Sequence, residues 1–111
     1  MAKYEAVLTG DFNAILNKIE IGICVSSSSA SLEDYSNFSS VCGARCAVRV
    51  FERYSYLGGN RVSLNVTLLE ADGKIHLSAI TSGGSRAMFF KLNTFGEEAF
   101  LDKLKEIVEN L

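Results

Sequence analysis

Apolar and polar residues alternate through the middle of this chain, from Arg45 to Leu92, and recur at helical spacing on either side of it. Within Arg45 to Leu57, Cys46, Val48, Val50, Tyr54 and Tyr56 point one way and Arg45, Ala47, Arg49, Phe51, Arg53 and Ser55 the other. That is the period of two of a half-buried strand. The arginines predict which side meets water, so Cys46, Val48 and Val50 are expected in the core. Gly58-Gly59-Asn60 supplies a turn that tolerates positive φ. A second strand follows, with Val62, Leu64, Val66 and Leu68 set against Arg61, Ser63, Asn65 and Thr67.

Asp72-Gly73 favours a two-residue type I′ hairpin, and the turn dictates a register. Pairing Ala71 with Lys74 places Leu68 beside Leu77, Val66 beside Ala79 and Leu64 beside Thr81. Thr67 then meets Ser78, and Leu69 meets His76, on the opposite side. A slip of one residue would invert every side chain, so turn chemistry and pattern support each other. Gly83-Gly84 permits a further hairpin that sets Met88, Phe90 and Leu92 on the core side. Arg86 to Lys91 fits a helical turn equally well, which leaves this last strand open.

Before the central run, Lys3 to Thr9 reads as a short strand with Tyr4, Ala6 and Leu8 on one face. Gly10 ends it, and Asp11 is a suitable N-cap for an amphipathic helix carrying Phe12, Ile15, Leu16 and Ile19. Gly22 predicts the end of that helix, with Ile23-Cys24-Val25 starting an extended segment. The serine tract Ser26–Ser31 is expected as an edge strand, and Glu33 to Val41 as a turn-rich loop. At the other end, Thr94 and Glu97 form a capping-box pattern. Phe100, Leu101, Leu104, Ile107, Val108 and Leu111 then make one apolar stripe that must lie on the sheet.

The predicted architecture is a single α+β domain over residues 1–111, ordered β-α-β4 (or β5)-α. It has an antiparallel sheet of about five to six strands with the helices packed on one face. This element order resembles TATA-binding-protein-like domains and small helix-grip domains, and the likeness carries no functional residues. The segments Ala79 to Ser85 and Asn93 to Glu98 also resemble a family of small uncharacterised bacterial proteins, which implies no activity.

Composition narrows the function classes. A chain of 111 residues has room for one hydrophobic core. Its net charge of −2 argues against a nucleic-acid binder, which needs a basic footprint. Met1 to Thr9 lacks the apolar core of a secretory signal, and no stretch has the length of a membrane span, so no membrane partner is expected. Cys24, Cys42 and Cys46 make an odd count without a disulfide framework, which points to the cytoplasm.

No catalytic, cofactor or metal set stands out, and none is expected. Cys42 and Cys46 lack the second Cys/His pair of a zinc site, His76 is the only histidine, and Ser82-Gly83-Gly84-Ser85 lacks the lysine of a phosphate loop. The acidic residues disperse over helix surfaces and turns rather than converging. What remains is the face bearing Arg45, Arg49 and Arg53, joined by Phe51, Leu69, His76 and Phe89. The plain alternative for it is a solvated ridge of arginine stems. The expected function is a non-catalytic interaction module using this open face, self-associating as a homo-oligomer. The alternative is a binder of a small apolar ligand between the last helix and the sheet, in a cavity lined by Val48, Val50, Leu64, Leu77 and Leu104.

Overall fold

The computed structural model describes residues 1–55, 60–83 and 90–111. The elements are β1 (Ala2–Leu8), α1 (Phe12–Ser26), β2 (Ser31–Ser39), β3 (Arg45–Ser55), β4 (Asn60–Ala71), β5 (Lys74–Gly83) and α2 (Phe90–Glu109). The five strands form one antiparallel sheet in the order β1-β5-β4-β3-β2, so β4 is central and β1 and β2 are the edges. Both helices cover one face, and the other is open. The expected α+β order β-α-β4-α is what forms.

The β4–β5 hairpin follows the register that Asp72-Gly73 dictates, pair for pair, from Ala71 with Lys74 to Leu64 with Thr81. Asp72 and Gly73 both take positive φ, at 55° and 76°, as a type I′ turn requires. The resulting row of Val62, Leu64, Val66 and Leu68, with Ile75, Leu77 and Ala79 beside it, lies under the helices and is buried. Phe12, Ile15, Leu16, Ile19 and Ile23 of α1 and Phe100, Leu101, Leu104 and Val108 of α2 complete the core. Asp11 caps α1, its Oδ2 accepting a hydrogen bond from the Ala14 N–H at 2.8 Å.

Four expectations do not hold. First, α1 does not stop at Gly22 but continues to Ser26, so Ile23, Cys24 and Val25 are helical. Gly22 has a packing reason instead of a stop role, because α2 approaches there. A Cβ at Gly22 would stand 2.5 Å from Ile107 Cδ1. Second, the serine tract is not the edge strand. Ser26 ends the helix with its hydroxyl donating to the Ile23 carbonyl at 2.7 Å. Ser29 Oγ accepts from the Tyr54 N–H at 3.0 Å, tying the turn to β3. The edge strand is Ser31–Ser39, which takes in most of the expected loop and carries a bulge between Leu32 and Asp34.

Third, α2 already includes Phe90, so the strand reading of Phe90 and Leu92 fails, while 84–89 lies outside the described residues. The capping box fails with it: Thr94 and Glu97 sit inside the helix, and the Glu97 side chain is buried, with Oε2 2.6 Å from the Met1 ammonium. Fourth, β3 presents its faces the other way round. Phe51 pairs with Leu64, Arg49 with Val66 and Ala47 with Leu68, which places all three in the row beneath the helices. Phe51 and Ala47 are buried at 0% and 1% exposure. Cys46, Val48 and Val50 face outward. Among the described residues, no helix is long and apolar enough to cross a membrane.

Candidate functional site

The arginine ridge exists, but on the helix-covered side. Arg49, 6% exposed, forms an ion pair through Nε with Glu20 of α1 and donates from Nη1 to the carbonyls of Ser36 and Val48. Arg45 pairs with its cross-strand neighbour Glu70 at 2.8 Å. Each guanidinium also lies over a ring: Arg45 over Phe12 at 4.6 Å, Arg49 over Tyr35 at 5.3 Å and Arg53 over Phe100 at 4.7 Å. The rings and stems fill the margin of the core, where a purely apolar strand would have nothing to keep its outer edge wet. Burial lowers the pKa of Arg53, which meets no carboxylate among the described residues.

Glu70 and Glu20 already neutralise Arg45 and Arg49, so the hollow of about 320 Å³ that both line, with Asn13 and Asn37, offers an incoming anion little net charge. Among the described residues, no group of three or more His, Cys, Asp or Glu side chains comes together. The five residues expected to line a ligand cavity divide between two faces: Val48 and Val50 point outward, while Leu64, Leu77 and Leu104 are packed under the helices.

The open face is built by the strand registers, which align outward side chains into rows running across all five strands. One row reads Val7, His76, Leu69, Cys46, Phe38 from β1 to β2. The next reads Glu5, Ser78, Thr67, Val48, Ser36, and the third Lys3, Ile80, Asn65, Val50, Asp34. The first row is an apolar band interrupted at His76. Val7 is 59% exposed and Phe38 63%, and Leu69 between them is also exposed. Ile80 and Tyr54 add exposed apolar surface on the same side.

Two hollows meet at Leu69 along this band. The larger, about 640 Å³ and shallow, lies toward β1 and is lined by Glu5, Val7, Thr67, Leu69, His76 and Ser78. The smaller, about 180 Å³ and mostly apolar, lies toward β2 between Phe38, Cys46 and Leu69.

Of the seven residues expected on an open face, Leu69 and His76 are there, side by side. Arg45, Arg49, Phe51 and Arg53 belong to the covered face, and Phe89 lies outside the described residues. The residues missed were Val7, Phe38 and Ile80. A signal for β3 was present in the sequence: a two-residue turn at Gly58-Gly59, pairing Leu57 with Asn60, would set Phe51 opposite Val66 and so on the core face, the face it takes in the observed register, where it pairs with Leu64. Phe38 gave no comparable signal, because its strand was read as a loop.

No curated protein and no solved structure matches this chain, so the likeness to TATA-binding-protein-like and helix-grip domains rests on element order alone. A family of unknown function does match, DUF6054, over residues 1–111, with the segments that resembled uncharacterised bacterial proteins inside it. The chain belongs to that family from its first residue to its last.

Proposed function

We propose that this protein is a non-catalytic, self-associating module that works through the open face of its sheet. The observation that carries the reading is the band from Val7 through Leu69 to Phe38, three exposed apolar side chains in one row across the full sheet. Contiguous apolar patches of this kind are uncommon on monomers, and an isologous pair is the commonest way a soluble chain covers one. The face is also large enough. Five strands at about 4.8 Å and eight residues at about 3.3 Å give roughly 650 Å² per chain, near the lower end of a stable dimer interface at about 1,200 Å² in total. The exposed Cys42 thiol and the two half-buried ones, none in a disulfide, suit a reducing compartment such as the cytoplasm.

The test is sedimentation of the parent and of Leu69→Arg at ~10–100 μM, a range that resolves an ordinary homodimer. The parent is expected as a dimer and the variant as a monomer with native far-ultraviolet circular dichroism. A parent that is monomeric throughout this range removes the proposal.

A further inference from the structure

The registers allow more than a statement that the face is covered. Two identical sheets packed face to face are related by a two-fold axis lying in the plane between them, and that axis can run along the strands or across them. Running it along β4, the central strand, leaves each residue at its own height and exchanges left for right. β1 of one chain then faces β2 of its partner, and β5 faces β3.

In this orientation the rows complement each other. Phe38 at one edge and Val7 at the other are equally far from β4 and lie in the same row, so each chain sets its Phe38 over the other's larger hollow. Val7 comes down on the smaller, mostly apolar hollow beside Phe38 and Cys46. Leu69 lies on the axis and meets its own copy. In the third row Ile80 faces Val50, and Lys3 at one edge faces Asp34 at the other. The cation and the carboxylate are thus at matching positions on opposite edges. An axis across the strands would instead turn the apolar row onto the Arg61 and Tyr54 end of the sheet and pair neither.

Sheets of native twist pack at about 30° to each other, which displaces facing residues at the edges by about 5 Å. The side chains of Phe38 and Lys3 are long enough to span that.

We infer that a second copy of this chain packs on the open face with the two-fold axis along β4, Phe38 of each entering the hollow between Val7, His76 and Leu69 of the other, and Lys3 pairing with Asp34 across both edges. This rests on the self-association proposed above and adds the orientation and the contacts that set it. Shape complementarity provides the anchor in the first row. The edge charges contribute mainly register, because exposed pairs add little affinity but repel strongly when matched in sign.

The experiment is a set of dimer dissociation constants from sedimentation equilibrium at moderate salt. Phe38→Ala, an exposed edge-strand substitution, is expected to keep native circular dichroism and to raise Kd at least tenfold. Lys3→Asp and Asp34→Lys should each raise it several-fold, and the double exchange should return it to within about twofold of the parent, since every facing pair is again opposite in charge. If Leu69→Arg dissociates the dimer while Phe38→Ala leaves Kd unchanged, or while the double exchange stays as weak as either single, the face associates in another orientation and this inference falls alone. A monomeric parent overturns both.

Discussion

Gly22 is where α1 meets α2, and one added methyl group there sets two opposing terms against each other. In a helix interior, alanine is favoured over glycine by about 0.8–1.0 kcal/mol, chiefly through backbone entropy. Against that, the new Cβ would stand 2.5 Å from Ile107 Cδ1 and 2.9 Å from Ile107 Cγ1. Rotation about χ2 would carry Cδ1 away but leave Cγ1 where it is. Relief therefore needs a new χ1, or separation of the helices, and overpacking of this kind costs about 1–3 kcal/mol.

The clash outweighs the propensity gain, so Gly22→Ala is expected to destabilise the parent by about 1 kcal/mol. In an Ile107→Ala background both obstructing carbons are gone, and the same substitution should stabilise by about 1 kcal/mol. The sign reversal is the diagnostic. Urea titrations of the four proteins at one fixed concentration, followed by circular dichroism with unchanged m, read it directly. If Gly22→Ala stabilises the parent as much as it stabilises Ile107→Ala, the helices do not touch at Gly22.

Two further substitutions test the inverted face of β3. Phe51→Ala should cost about 3–5 kcal/mol, the range for emptying a buried aromatic site; a loss under about 0.5 kcal/mol in the same titration, the figure for an exposed position, would return Phe51 to the open face. Glu20→Gln strips the counter-charge from the buried Arg49 guanidinium and should cost about 1–2 kcal/mol, reduced from the fully buried figure because Glu20 is itself partly solvated. Arg49→Met should cost less, since it removes the buried charge and leaves Glu20 free to turn to water, and the reverse order would refute the pairing.

The sequence by itself determined the elements whose local chemistry and apolar pattern agree. Asp72-Gly73 admits one tight turn, and the alternation around it admits one register, so the pairing of β4 with β5 was legible to the residue. Asp11 and the Phe12–Ile19 spacing announced α1, and the stripe from Phe100 to Val108 announced the body of α2, while Leu111 lies beyond the helix and is exposed. From these the α+β class and the existence of an open face followed.

What only the tertiary structure decided were positions where local chemistry pointed away from the final environment. In β3, three arginines outweigh Ala47 and Phe51 if charge is read as exposure. Only the folded chain brings up Glu20, Glu70 and the rings of Phe12, Tyr35 and Phe100 to hold those charges at the core margin. Gly22 reads as a helix stop until Ile107, distant in sequence, is seen against it. The polar Ser31–Ser39 segment becomes a strand because β3 offers its unpaired edge, a long-range hydrogen-bonding partner that no local propensity encodes. The site shares that dependence. Val7, Leu69 and Phe38 are far apart in the chain and each is an ordinary surface residue alone, and they become a band only because four strand registers place them in one row.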